Sequence, residues 1–499
     1  MSTPSIPIAW PRALDLLRSS AATGPLIVAG RPRTEGAIWE LPSPADPGDL
    51  IRVHAATAEF VAEACAAADA ARPACARLSR HARAGILRRT ADAVEAQAGP
   101  LAELLTREVG KALRDSVGET TRAVATLRAA ADAVTALAGT EVPLDAVPSG
   151  DGRIAYSTWE PVGVVAAVCG FNFPLLLAVH KVAAAIGAGC PVVVKPSDRT
   201  PLSALVLADA VVEAGWPAEA ISVLPGGPQV GEALVADPVV RLVSFTGSSR
   251  IGAIIAGAAG RTLKRSVMEL GSNTATVVAA DADLDLAAER CAAGAMSASG
   301  QSCISVQRVF AEAHVARALA ERIAARVGAL RTGDPYDPAT EVGALISPDA
   351  TERVSALVAD AVEHGAEVLA GGVAEGSLRP TVLWNPGPDA RICVDEAFGP
   401  VLAVHPVADL DEAVARANAT DYGLMAGVFT ASLDTALSVA SRLEAGGVHV
   451  NDSSNFRADN MPYGGVKHSG FGKEGPASAM REMSVEKIVT LRVATGRRA

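Results

Sequence analysis

The sequence predicts an α/β protein whose main sheets are parallel and covered on both faces. Apolar runs such as Val164–Val168, Pro191–Lys195 and Val239–Phe245 are continuous rather than alternating, which is the pattern of strands buried on both sides. Each is followed by a stretch with helical spacing, namely Leu175–Ile186, Ser203–Ala214 and Ser249–Ala259. The chain of 499 residues also exceeds what one hydrophobic core usually serves, so two or three domains are expected.

Taken in order, residues 53–123 are rich in Ala, Glu and Arg at helical spacing and read as several helices, broken near Arg72-Pro73 and Gly99-Pro100. Residues 153–159 and 162–168 read as strands separated by Glu160-Pro161. The alternation then adds a strand at Ile221–Leu224 and a short helix at Gly231–Ala236. A second series starts at Lys264, with strands at Val267–Leu270 and Thr276–Val278 and helices at Leu284–Ser299 and Val315–Val327. Thr351–Glu363, Ala366–Ala370, Leu410–Asn418 and Leu433–Leu443 continue it. The closing run Lys487–Val493 alternates as a strand, which either completes a sheet in a neighbouring subunit or pairs within its own chain.

Composition narrows the function. Aromatic residues are 4% and hydrophobic residues 49%, so the core is made of Ala, Val, Leu and Ile. A formal charge of −11 argues against nucleic acid or an acidic membrane as partner and leaves small molecules open. The most apolar window, Pro161–His180, contains Asn172 and internal Gly and Pro, so it reads as strand, turn and helix, not a membrane span. Seven widely spaced cysteines, with no C-x-x-C pair, argue against a disulfide framework. Eight unclustered histidines give no metal site. With no secretion signal at Met1-Ser2-Thr3-Pro4-Ser5, a reduced, cytoplasmic setting is expected.

Two short segments suggest chemistry. Cys303 sits in Gly300-Gln301-Ser302-Cys303, and Glu269 in Met268-Glu269-Leu270-Gly271. A thiolate attacks a carbonyl well and a carboxylate can deprotonate a thiol or a water, although a lone cysteine is more often an inert core residue. Leu242–Gly252 reads as an apolar strand, a turn at Gly247-Ser248 and the start of a helix that includes Gly252. That is either a pyrophosphate site at a helix N-terminus or simply a tight turn. Lys195 and Asp198 leave the end of another strand, where open sheets bind ligands. They either bond ribose hydroxyls or sit in a solvated loop. Asp198 would favour NAD by repelling a 2′-phosphate, while Arg199 leaves NADP possible.

Together these segments resemble the NAD(P)-dependent aldehyde dehydrogenase superfamily from about residue 50 to 495. The resemblance rests on Phe171-Asn172-Phe173-Pro174, Lys195-Pro196-Ser197-Asp198, Phe245-Thr246-Gly247-Ser248, Glu269-Leu270-Gly271, Gly300-Gln301-Ser302-Cys303, Glu396-Ala397-Phe398-Gly399-Pro400 and Pro462-Tyr463-Gly464-Gly465. It implies a Rossmann-like cofactor domain (1–134 and 159–267), an α/β catalytic domain (268–484) and a small β oligomerisation element (135–158 and 485–499), assembled as a homodimer or homotetramer. It further implies Cys303 as nucleophile, Glu269 as general base and Asn172 as oxyanion donor. Phe171, Lys195, Asp198, Gly247, Ser248, Gly252, Leu270, Glu396 and Phe398 would hold the cofactor. Because relatives that transfer the acyl group to coenzyme A typically lack the glutamate, hydrolysis to a carboxylate is expected.

The same resemblance places Phe173, Leu177, His180, Gln301, Ser302, Ile304 and Arg457 along the substrate tunnel. The segments Cys303–Val309 and Asn455–Asp459 are similar to the lactaldehyde, glyceraldehyde and phosphonoacetaldehyde branch. A small polar or anionic aldehyde is therefore expected, with an ω-carboxylated semialdehyde as the alternative substrate and a catalytically silent relative as the alternative class. Arg457 either recognises the substrate or pairs with Asp459, and His180 either reaches the tunnel or packs within its helix.

Overall fold

The computed structural model describes residues 22–374 and 377–493, and within them the alternation becomes two large sheets and two small ones. The first large sheet has the strand order Gly470–Phe471, Arg265–Glu269, Val240–Thr246, Val164–Val168, Val192–Lys195, Ile221–Val223, Leu26–Val28, Arg31–Arg33. From Arg265–Glu269 to Ile221–Val223 the pairings are parallel, and the outer strands are antiparallel. Val164–Val168 is therefore the point where the chain order reverses: the following strands add first on one side, at Val192–Lys195, and then on the other, at Val240–Thr246. Ligands of open α/β sheets bind at such a crevice, beyond the carboxyl ends of the strands.

Register makes the crevice specific. Val168 lies opposite Phe245, and Thr246 opposite Glu269. The segments after Val168 and Thr246 thus emerge level with the Glu269 carboxylate. Behind them the helix Pro174–Ala188 is buried along its whole length. It packs between Leu113–Ala136, Pro476–Glu482 and the sheet, which explains why it is apolar all round. Among the described residues, no helix is long and apolar enough to cross a membrane.

The second large sheet runs Glu367–Ala374, Ser377–Trp384, Val401–Val407, Arg308–Glu312, Ala275–Val278, Met425–Phe429, Gly447–Val450 and is parallel apart from its first hairpin. The sequence reading found Ala275–Val278 but missed Arg308–Glu312, Val401–Val407 and Met425–Phe429. Those strands hold Arg308, His405 with Pro406, and Gly427, which interrupt the apolar signal. Arg308 is buried because it donates to the carbonyls of Asn273, Arg416 and Ala417.

Four further expectations are corrected or resolved. The helix Ala58–Arg77 runs through Pro73 without breaking. Proline costs it one backbone bond, but Cys65, Ala68, Ala71 and Cys75 are buried and hold the helix in place. The helix expected to reach Ser299 stops at Met296. The terminal strand, Ser484–Arg492, pairs within its own chain along Arg153–Pro161, which also pairs with Glu141–Val142. Finally, Thr23–Gly24, Ile38–Pro42 and Leu50–His54 form a small sheet that the sequence reading did not anticipate.

Candidate active site

A cavity of about 560 Å³ opens at the crevice between the two large sheets. Phe171 and Asn172 reach it from the turn after Val164–Val168, Gly247 and Ser248 from the turn after Val240–Thr246, and Glu269 and Leu270 from the neighbouring strand end. The other half contributes Ser302, Cys303, Ile304, Glu396, Phe398 and Arg457, and the buried helix contributes Leu177, with Phe173 just before its first turn. The structure thus brings Cys303, Glu269 and Asn172 to one cavity from three separate elements.

The loop carrying Cys303 is bent by consecutive left-handed residues, Ala298 (φ 50°), Ser299 (φ 58°) and Gly300 (φ 71°). Two of them are not glycine, a conformation that survives only where its surroundings enforce it. Here Ala298 N–H donates to Asp115 at 3.1 Å, and Ser299 Oγ donates to the Gly343 carbonyl at 3.0 Å. Gly300 lies so near the Gly399 carbonyl that any Cβ would overlap it. The turn ends the helix early and aims Cys303 at the cavity. Cys303 is half-buried, and burial first, then the nearby carboxylates, push its thiol up to about 12 against the pull of Tyr463 and Arg457.

Glu269 is buried, and among the described residues neither of its oxygens has a hydrogen-bond partner. Burial, reinforced by Glu474, raises its pKa well above the usual range against the opposing pull of Arg457, Lys181 and Lys473. A buried carboxyl without partners is costly unless a ligand or water uses it. The side-chain amide of Asn172 donates to the Gln301 carbonyl at 2.8 Å. The Asn172 backbone carbonyl accepts from Lys111 Nζ at 3.1 Å. Lys111 forms a fully buried ion pair with Glu119, which accepts the Leu176 N–H at 3.0 Å. This pair fixes the Asn172 turn to the start of the long buried helix.

The cofactor positions fall into two groups. Glu396 accepts the Ser272 N–H at 2.8 Å, and burial pushes it up to about 7. A Cβ on Gly271 would stand 2.5 Å from its carboxylate. Phe171 and Phe398 meet edge to face at 5.6 Å. On the far side of the turn, Ser248 caps the helix Ser249–Arg261, and Gly252 lies so close to Leu270 that a Cβ would overlap it. Lys195 and Asp198 do not line the cavity. Lys195 is buried and donates to the Pro196 carbonyl, its stem beside Gly231, whereas Asp198 is exposed. An open helix N-terminus, a carboxylate backed by glycine and an exposed carboxylate at the next strand end fit an extended dinucleotide.

Two expected tunnel residues lie outside the cavity lining. Gln301 is buried and accepts the Ile346 N–H with its side chain, so it braces the nucleophile loop from behind. His180 is buried within its helix, and burial drives its pKa well below the usual value. Arg457 does line the cavity, and it pairs with Glu474 at 3.3 Å, not with Asp459. Asp459 is held by Arg122 at 2.8 Å.

Sequence reasoning missed Lys111, Glu119, Lys181, Glu474 and a role for Tyr463. Lys181 donates to Thr246 Oγ1 at 2.6 Å and pairs with Glu474 at 3.0 Å. Tyr463 Oη is 3.0 Å from Cys303 Sγ. A lysine inside an otherwise apolar buried helix was the signal available for Lys181, because such a charge requires a buried partner.

Residues 33–489 match the model of the aldehyde dehydrogenase family. The chain is 41% identical over 408 residues to 3-sulfolactaldehyde dehydrogenase of Priestia aryabhattai, covering 81% of this chain and 85% of the relative. It is 42% identical over 421 residues to aspartate-semialdehyde dehydrogenase 1 of Pseudomonas canavaninivorans, covering 84% and 89%. Its fold is similar to that of aldehyde dehydrogenase 21 from Physcomitrella patens, solved with the reaction product succinate. The TM-score there is 0.91 at 34% identity, over 95% of this chain and 99% of the other. The chain belongs to the aldehyde dehydrogenase family. It is an NAD(P)-dependent aldehyde dehydrogenase with a Rossmann-like cofactor fold, an α/β catalytic fold and a small antiparallel sheet.

Proposed function

We propose that this enzyme oxidises a short aldehyde carrying an anionic group to the carboxylate, with Cys303 as nucleophile, Asn172 as oxyanion donor and Glu269 as base. The observation that carries the reading is the convergence of these three side chains on one cavity at the reversal point of the first sheet. A catalytically silent relative would have no need to keep a bare buried carboxylate opposite a thiol.

The Cys303 S–H proton passes to Glu269 or water, and the sulfur bonds to the carbonyl carbon, whose π pair moves to oxygen. One N–H of the Asn172 amide donates to the Gln301 carbonyl, which leaves the other, together with the Cys303 backbone N–H, to stabilise that oxygen. The oxygen pair then re-forms the C=O bond as the C–H bond breaks, and a nicotinamide held by Glu396 and Phe398 would supply the acceptor for that hydride. The acyl group is left as a thioester on Cys303. Glu269 then takes a proton from water, the water oxygen adds to the thioester carbon, and collapse breaks the C–S bond to release acid and thiol. Among the described residues nothing bonds the Glu269 oxygens, which leaves both of them to accept from that water.

Four guanidinium groups line the cavity: Arg114, held by Glu341; Arg122, held by Asp459; Arg457, held by Glu474; and Arg353, which donates to the Glu396 and Ala397 carbonyls. A guanidinium has five donors, so each keeps some for a substrate anion after pairing. The relatives named for sulfolactaldehyde and aspartate semialdehyde, and the moss enzyme solved with succinate, support an anionic substrate. An ω-carboxylated semialdehyde remains within this class. NAD is favoured by the exposed Asp198, with Arg199 admitting NADP. Seven free cysteines suit a cytoplasmic setting. Exposed Ile154, Tyr156, Ile488 and Leu491 on the small antiparallel sheet favour a homodimer or homotetramer, which sedimentation velocity would distinguish from a monomer.

The test is reduced-cofactor absorbance across short aldehydes, neutral and bearing carboxylate, sulfonate or phosphate, each with NAD and NADP. Turnover lost in Cys303→Ala and a higher kcat/KM for anionic members are expected. Equal turnover in Cys303→Ala removes the nucleophile, and a preference for neutral aldehydes removes the anionic substrate.

A further inference from the structure

Tyr463 has no part in the steps above, yet among the described residues its hydroxyl is the one group within hydrogen-bond distance of the Cys303 sulfur, at 3.0 Å. Its ring is buried, and the Arg457 guanidinium lies 3.8 Å from the ring centroid. The phenol cannot swing away. Tyr463 N–H donates to the Glu474 carbonyl at 3.0 Å and Glu474 N–H donates back at 2.7 Å, so the backbone is clamped by a two-way bridge. Gly464 follows in the left-handed region, where a Cβ would stand 2.8 Å from Glu269 Oε1. Tyr463 is thus fixed against the nucleophile while its neighbour touches the base.

We infer that Tyr463 is a further residue of the thiol-activating machinery: its hydroxyl donates to the Cys303 thiolate, and Arg457 against its ring stabilises the same charge. The inference rests on Cys303 being the nucleophile. The S–H proton leaves for Glu269 or water; the Tyr463 O–H bond stays intact and turns its hydrogen toward the sulfur. No other bond changes. The charged and titratable groups facing this pair are Glu269, Glu396 and Arg457, with Glu474, Lys181 and Lys473 around Glu269. Burial raises the phenol well above its ordinary value, so it remains a donor throughout the working range. Arg457 favours negative charge at both Tyr463 and Cys303, and Glu474 keeps that cation in place.

A hydrogen bond to a charged group contributes about 1.5–3 kcal/mol, equivalent to roughly one to two pH units of thiol acidity. A more basic thiolate is somewhat more nucleophilic, which offsets part of the loss. The experiment is inactivation by iodoacetamide as a function of pH in wild type and Tyr463→Phe, a change that removes a single oxygen. At any pH below both midpoints, Tyr463→Phe should be inactivated roughly three- to tenfold more slowly. Its kcat/KM should fall by a similar factor for aldehydes with and without a neighbouring hydroxyl. Superimposed inactivation profiles would overturn the inference. So would a loss confined to KM of hydroxylated aldehydes, which would make Tyr463 a substrate contact. If Cys303→Ala retains turnover, the nucleophile assignment fails first, and the Tyr463 inference with it.

Discussion

Replacing Glu474 with glutamine separates two roles that the structure gives one carboxylate. Glu474 is buried, 3.0 Å from Lys181 Nζ and 3.3 Å from Arg457 Nη2. Burial opposes its charge, but Lys181 and the other cations win and hold it at about 2. Glutamine fills nearly the same volume and leaves two buried cations without their partner, which costs about 3–5 kcal/mol. Because the folded value lies below the unfolded 4.5, the stabilising contribution is complete above about 4.5 and fades as pH falls towards 2. The difference in urea midpoint between wild type and Glu474→Gln should therefore be large at neutral pH and shrink in acid.

The same change has a second, opposite signature. Glu474 is the main charge that raises Glu269, while Arg457, Lys181 and Lys473 pull it down. Removing the acid leaves those cations uncompensated beside Glu269, so Glu269 ionises at lower pH. The acid limb of kcat, followed by reduced-cofactor absorbance, should move to lower pH in the fraction that stays folded. The groups are coupled, so the limb reports the set and not Glu269 alone. A limb that stays put, or moves up, would refute the assignment of Glu269 as base or of Glu474 as the charge that tunes it.

Two other perturbations test positioning. Asn172→Ala should lower kcat about 10²–10³-fold with little change in KM, as for loss of one oxyanion donor; a pure KM effect would argue against that role. Gly300→Ala places a Cβ against the Gly399 carbonyl in a left-handed turn, and the loop must shift to admit it. A displacement of the nucleophile on the order of 1 Å should cost about a hundredfold in kcat and slow iodoacetamide inactivation in parallel. Unchanged values for both would mean that the turn does not set the sulfur.

The parallel strands of the first large sheet were legible because Val164–Val168 and Val192–Lys195 are almost wholly apolar and Val240–Thr246 is interrupted only by Arg241, Ser244 and Thr246; the short edge strands Leu26–Val28, Arg31–Arg33 and Gly470–Phe471 were not. Cys303, Glu269 and Asn172 were legible because each sits in a short motif at an element end, where composition and chemistry agree. The supporting charges were not. Lys111 lies in the short connection between the helices Ala98–Val109 and Leu113–Ala136, and Glu119 lies in the second of them, where each resembles a solvated charge; only tertiary packing reveals that they meet beneath the Asn172 turn. Arg457 was visible as a cation, but its partner could not be chosen: Asp459 is close in sequence, whereas Glu474 is reached through the bridge to Tyr463. The two strained residues before Gly300 carry no composition signal at all. Alanine favours continuing the helix, and Asp115 and Gly343 override that preference from distant parts of the chain.

The proton inventory of the cavity explains why so much charge is placed behind its wall. Burial pushes Cys303, Tyr463, Glu269 and Glu396 all towards their neutral forms, so the resting chamber resists any new negative charge. Yet the proposed chemistry creates such charge twice, on sulfur and then on the attacked oxygen. Arg457, Lys181 and Glu474 carry the fixed charges next to the reacting groups, and two cations shared with one acid leave a net positive charge. That excess acts on the thiolate through Tyr463 and on Glu269 directly. A site built this way keeps its thiol protonated and unreactive at rest and ionises it only where a proton acceptor and a hydrogen-bond donor are already aligned.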